Sequence, residues 1–257
     1  MTKRKLSVGE TLNETFSLYG QHAGVLLPIA FWLFLVVAIF EGIAHDSLAL
    51  APLAIVVTMI ATTLYQGVVV SLVRDVQDGR RDTSMGGLVS QAMPFLWPLI
   101  GAGILSGIGI GIGFILLIVP GLILLTIWAV IAPAIVVENR GVFAAFGRSR
   151  ELVRGNGWPV FGAIVVAFLI VFVAALIFTA IAVAIADGIL LLIVFSALAS
   201  TLTAPVMALV AAVLYYRLVA IEGPAPVAEG VPPAAPDQYG TPPTDPGPPP
   251  PPPAPSA

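Results

Sequence analysis

Residue types that do chemistry are few in this 257-residue chain, and most are spaced where they cannot cooperate. There is no cysteine, which excludes disulfides, thiolate metal sites and thioether haem attachment. His22 and His45 flank a long apolar stretch, and neither has a carboxylate at ligand spacing on a helix, so no shared metal is expected. Asp75, Asp78 and Asp82 cluster among Arg74, Arg80 and Arg81. Carboxylates spaced this way can hold a divalent cation, but alternating charges in a polar loop read more simply as a solvated linker. Glycines at 101, 103, 107, 109, 111 and 113 imitate a phosphate-binding loop, yet they lie in an apolar run with no Lys-Ser or Lys-Thr after them. Gly103, Gly107 and Gly111, four residues apart, are expected instead to let helices approach closely in lipid. We therefore expect no catalytic residues, no metal, no cofactor and no nucleic-acid partner.

Two weaker constellations remain. An uncharged polar set, Gln66, Thr62, Ser200 and Thr203, falls inside apolar stretches. An amide in hydrocarbon needs a partner, so these groups are read as interhelical glue or as the lining of an intramembrane cavity. Arg148, Arg150 and Arg154 share the polar side of one short amphipathic segment and would attract anionic headgroups or a partner protein, beyond anchoring the topology.

The elements that must position these residues follow from composition. With 58% hydrophobic and 10% charged residues, and a mean hydropathy of +1.03, the chain has too few charges to face water over most of its surface. Apolar stretches long enough to cross a hydrocarbon core of ~30 Å fall at about 24–43, 48–72, 96–118, 121–137, 159–185 and 188–218. Pro120-Gly121 is expected to turn a tight hairpin between the third and fourth; the competing reading is one kinked or re-entrant element. Lys3, Arg4 and Lys5 lead into a polar stretch and not an apolar one, so the first span is expected to be an uncleaved anchor.

Charge selects the topology. All 11 Lys and Arg residues lie before span one, between spans two and three, between four and five, or at the end of six. The loops after spans one and five hold Glu41, His45, Asp46 and Asp187 but no cation. The positive-inside rule then puts both termini in the cytoplasm, which requires an even number of crossings.

Residues 7–19, 85–93 and 142–154 each put apolar side chains on one helical face, the pattern of a helix lying in the membrane interface. In the first, Val8, Leu12, Thr15, Phe16 and Tyr19 share a face, and Ser7 with Glu10 forms a capping box. Trp97-Pro98 and Trp158-Pro159 open spans three and five in the same way. The expected architecture is all-α: six transmembrane helices as three hairpins, each preceded by an in-plane amphipathic helix. Residues 1–222 form this domain. Residues 223–257, with 15 prolines, are expected to be a disordered, extended cytoplasmic tail.

Read together, the opening LSVGETLNETFSLYGQHAGVLLP and the stretch PGLILLTIWAVIAPAIVVENRGVFAAFGRSRELVRGNGW resemble a family over residues 6–220. It is the bacterial polytopic family named after the membrane domain of glycerophosphoryl diester phosphodiesterase. The resemblance implies a six-span protein of the bacterial cytoplasmic membrane with no assigned activity. The phosphodiesterase domain is not expected here, since these residues lack its His and carboxylate motifs. The expected function is a non-catalytic membrane module acting through lipids, a membrane-protein partner or a second copy. The alternative is a lipid or small-molecule transporter with a cavity between the repeats. A membrane-embedded hydrolase would need acid/base groups converging at one interface, and only Asp75, Asp78 and Asp82 offer them.

Overall fold

A computed structural model describes residues 6–44, 47–79, 84–185 and 188–222. Lys3, Arg4, Lys5, His45, Asp46, Arg80, Arg81, Asp82, Asp187 and the proline-rich segment 223–257 lie outside the described residues. The described chain is helical: α1 (Val8–Ala44), α2 (Ala51–Gln77), α3 (Met85–Ala92), a 3-10 turn (Met93–Phe95), α4 (Leu96–Leu116), α5 (Ile118–Ile127), α6 (Ile131–Glu138), α7 (Val142–Val153), α8 (Gly157–Ile185) and α9 (Ile189–Glu222). Six helical stretches are long and apolar enough to cross a membrane: α1, α2, α3–α4, α5–α6, α8 and α9.

Packing is close on the C-terminal half of α2, where Val68, Val69 and Val70 are all fully buried beside Tyr65 and Leu72. Three consecutive buried positions mean that protein surrounds this part of α2 on every side. α1 packs along α9 and α2, α4 on α5, and α8 on α9. The outer faces carry Ile108, Leu169, Phe172, Leu176 and Leu190, a surface suited to lipid.

The apolar face expected over 7–19 holds for Val8, Leu12, Thr15 and Tyr19, which are buried or packed on the core, but these residues do not form a separate in-plane helix. These residues begin α1 and run into the span without a break. The buried residues are Thr11, Thr15 and Leu18, whereas Phe16 is exposed. The threonine hydroxyls satisfy themselves on the preceding turn, donating to the Ser7 and Thr11 carbonyls at 2.8 and 2.9 Å. At 37 residues α1 is about 55 Å long, well beyond the hydrocarbon thickness. α3 and α7 are separate helices. Ser84 caps α3 by accepting from Gly87 N–H at 3.2 Å, and Leu88 and Ala92 are its buried residues. α7 buries Ala145, Ser149, Leu152 and Val153, all on the expected face.

The turn between the third and fourth spans lies at Leu117, whose backbone is extended (φ −163°, ψ 150°), and not at Pro120-Gly121. Pro120 sits in the first turn of α5, where its missing N–H has no helical partner to lose. Gly121 serves close approach instead. A Cβ on Gly113 would lie 2.9 Å from the Gly121 Cα, and one on Gly109 would lie 2.6 Å from the Trp128 ring. The glycines that bring α4 and α5 together are therefore Gly109 and Gly113. Gly103, Gly107 and Gly111 have open space where a Cβ would go.

The fourth span is also not continuous. It breaks at Trp128–Val130 into α5 and α6, with Pro133 in the first turn of α6. Pro133 cannot donate to the Ala129 carbonyl, so the chain gains little by staying helical there. Asn139, left-handed at φ 50°, then ends α6.

Candidate functional site

A cavity of about 540 Å³ lies inside the bundle, within the size range of ligand pockets. All six spans line it: Phe34 of α1, Gln66 of α2, Gly103 of α4, Leu125 of α5, Ile164 of α8 and Met207 of α9 mark the circuit. Its walls are mostly apolar. Thr62, Thr63 and Gln66 give α2 the polar side, about midway along that helix. The Thr62 hydroxyl is used locally, within reach of the Thr58 and Met59 carbonyls at 2.8 and 3.1 Å. The Tyr65 hydroxyl donates to the Leu26 carbonyl across the α1–α2 contact at 3.3 Å. The Gln66 amide has no hydrogen-bond partner among the described residues. That leaves it available to whatever occupies the cavity.

The expected polar set is thus divided. Gln66 and Thr62 face the cavity, whereas Ser200 and Thr203 do not line it. Thr203 donates to the Ala199 carbonyl of its own helix at 2.7 Å, as Thr201 does to Ala197 at 2.6 Å. A hydroxyl can return to the previous turn of its own helix, whereas a glutamine amide is too long to do so neatly.

Beside the cavity lies the break in the fourth span, and α7 repairs it. The Ser149 hydroxyl donates to the Ile127 carbonyl at 2.8 Å and accepts from Val130 N–H at 3.3 Å. One buried side chain therefore satisfies the end of α5 and the start of α6. Non-helical backbone at membrane depth is tolerated only where protein or a cavity satisfies it. Trp128 fills the same joint, its ring edge-on to Phe146 of α7 at 4.9 Å and against Gly109 of α4.

Ion pairs gather at one end of the bundle. Arg148 does not join Arg150 and Arg154 on an open basic face, because its side chain is only 14% exposed. It donates to Glu138 Oε1 from Nε at 2.8 Å and to both oxygens of Glu222 at 2.8 and 2.6 Å. Glu138 also accepts from Tyr215 at 2.8 Å and from Arg140. The bonds to Glu222, opposed by burial and reinforced by Glu138, raise the Arg148 pKa further above the usual arginine range. This cluster ties α6, α7 and α9. Arg217 of α9 forms a second one with Glu10 at 2.9 Å and Glu14 at 2.7 Å, both near the start of α1. Arg150 and Arg154 are exposed, with no partner among the described residues.

The acidic loop resolves differently. Asp75 is 2% exposed and accepts from Gln91 of α3 at 3.3 Å, while Asp78 ends α2 and lies 3.9 Å from Arg74. One is buried and the other exposed, so the two carboxylates do not form a common open site. Sequence reasoning missed the Arg148 cluster. Its one signal was Glu138, a lone carboxylate closing an apolar span and in need of a cation.

Residues 98–219, just under half of the chain, match the model of a domain of unknown function, DUF7847. The match takes in α4 to most of α9, and with them the broken span, Ser149 and Arg148. No curated protein and no solved structure matches the chain. The matched family carries no name that links it to the glycerophosphoryl diester phosphodiesterase membrane domain.

Proposed function

We propose that the protein is a non-catalytic, lipid-handling membrane protein that admits an apolar or amphiphilic molecule to its central cavity. The observation that carries this reading is the cavity itself: six spans line it, and it offers one uncommitted amide, Gln66, to an otherwise apolar occupant. A broken helix beside such a cavity is a recurrent feature of proteins that move molecules through membranes. The cavity would take the apolar part of its occupant, with Gln66 and Thr63 able to hydrogen-bond a polar group on it, because the lining holds no carboxylate or cation. That composition also argues against coupling to protons or sodium, which calls for an ionisable group at membrane depth.

A second reading, a scaffold for partner proteins in the bacterial cytoplasmic membrane, is supported by α1 and α9. They measure about 55 and 50 Å by residue count and are joined by Arg217, so they extend past the hydrocarbon at one end. The resemblance to the glycerophosphoryl diester phosphodiesterase membrane-domain family favours this reading equally. In both, the basic end faces the cytoplasm and both termini lie there. Reporter fusions after residues 46, 117 and 187 should then read as external, and those after 79, 150 and 230 as cytoplasmic. A cytoplasmic signal at 117 would overturn the topology.

The functional test is exchange of a fluorescent phospholipid between leaflets of liposomes holding the full chain. Exchange well above protein-free liposomes is expected, with strong loss in Ala204→Phe, which fills the cavity, and in Gln66→Leu. Exchange at the protein-free rate, with the fold intact, would reject lipid handling and leave the scaffold.

A further inference from the structure

A second cavity, about 820 Å³, lies away from the first, between α5 and the start of α8. Leu122, Ile123 and Thr126 of α5 form one wall; Trp158 and Phe161 of α8 form the other. Thr126 spends its hydroxyl on the Leu122 carbonyl at 2.7 Å, so the α5 wall is effectively apolar. One end is different. There Gly155, Asn156 and Gly157 line the cavity, and they directly follow Arg154. α7 is held at this end because Ser149 donates to the carbonyl of Ile127, another lining residue, at 2.8 Å. Arg150 is the next residue along α7.

Arg154 directly precedes the polar end of this apolar groove in the chain and Arg150 lies one helical turn before it; both are exposed and have no partner among the described residues. Arg148, by contrast, is spent on Glu138 and Glu222. Trp158, 84% exposed, belongs where hydrocarbon meets headgroups. We infer that this groove seats an anionic glycerophospholipid from the bilayer, its acyl chain along α5 and α8 and its phosphate at Arg150, Arg154 and the Asn156 amide. A zwitterionic lipid would meet the same apolar wall, but its own cation would oppose the two arginines. An unpaired arginine also matches phosphate geometry better than a solvated ammonium would.

This site shares only its membrane setting with the proposed function, and none of its lining residues belongs to the central cavity. Retention of phosphatidylglycerol against phosphatidylcholine by the purified full chain, measured by native mass spectrometry, tests it. The wild type should retain phosphatidylglycerol preferentially. Arg150→Gln with Arg154→Gln should reduce that preference on the order of tenfold. Arg74→Gln, an exposed arginine on α2, should leave it unchanged. Ile123→Trp, which fills the groove, should lower retention of both lipids. Equal retention of the two lipids by the wild type would overturn the proposal. So would displacement of phosphatidylglycerol by millimolar inorganic phosphate, because the acyl chain would then contribute nothing. An equal loss in Arg74→Gln would overturn it too, by showing attraction to charge in general.

Discussion

Pro28, Pro133 and Pro205 fall well inside spans of this protein, and those spans respond in two ways. α1 continues through Pro28 and α9 through Pro205, whereas the fourth span, with Pro133, opens into α5 and α6. In each case proline removes an N–H from a carbonyl four residues earlier: that of Gly24, Thr201 or Ala129. In each case a hydroxyl from another helix reaches a carbonyl within two residues of it. Tyr65 reaches Leu26, Tyr19 reaches Leu202, and Ser149 reaches Ile127. Proline alone therefore does not decide between a continuous and an open helix in lipid. What distinguishes the fourth span is a donor-acceptor group that serves both broken ends, set on a helix that also wedges Phe146 under Trp128. α1 and α9 receive a single phenol each and stay continuous.

If α7 holds the fourth span, the largest effect should come from freeing α7. Arg148→Ala would leave Glu138 and Glu222 without their shared cation at a half-closed site. We expect a loss of about 3 kcal/mol, the low end for breaking a buried pair, because Glu222 is 44% exposed. Denaturant unfolding in mixed micelles would measure it. A loss under 1 kcal/mol would make the cluster a surface decoration.

Ser149→Ala comes next. It strands a carbonyl and an N–H at a buried joint, so we expect about 2 kcal/mol by the same titration. Faster exchange of the Val130 and Ala129 amides should accompany it. Loss of stability without local exchange would place the damage elsewhere in the bundle.

Gly113→Ala tests the other side of the broken span. Its methyl would meet the Gly121 backbone at 2.9 Å, and backbone cannot swing away, so a cost of about 1–2 kcal/mol is expected. Gly107→Ala, with open space around it, should be neutral or slightly stabilising, since alanine is the better helix former. Equal costs at the two positions would break the distinction between the glycine rows.

Which parts of this were legible in the sequence follows from what hydropathy and periodicity can register. Six apolar stretches, cations gathered at one end, and the buried faces of α3 and α7 all depend on contrast between polar and apolar residues. The turn at Leu117 and the break at Trp128–Val130 lie in stretches that are apolar throughout, where that contrast vanishes. Two prolines, Pro120 and Pro133, were the available signal, and each belongs to the first turn of a short helix. The glycine row failed for a related reason. Spacing of four fits Gly103, Gly107 and Gly111 as well as it fits Gly109 and Gly113, and only the position of Trp128 and Gly121 selects between them. Arg148 was grouped with Arg150 and Arg154 because all three are polar on one amphipathic helix. Its partner Glu222 is 74 residues away, and no local pattern encodes that contact. Gln66 was legible as an amide needing a partner, but the hollow it faces required the packing of six spans.

The smallest predicted effects test the unbroken spans. Tyr65→Phe and Tyr19→Phe each remove one hydroxyl and keep the ring, so Phe34 retains its edge-on contact with the ring at position 65. Interhelical hydrogen bonds within membranes are worth about 0.6 kcal/mol on average, and the carbonyls concerned keep part of their own helical bonding. Each variant should therefore lose about that much, roughly a third of the Ser149→Ala cost. The two losses should also add, since each phenol supports a different helix. If either variant instead cost as much as Ser149→Ala, α1 or α9 would depend on its phenol as the fourth span depends on α7. The contrast between a helix that continues through proline and one that opens would then be a difference of degree.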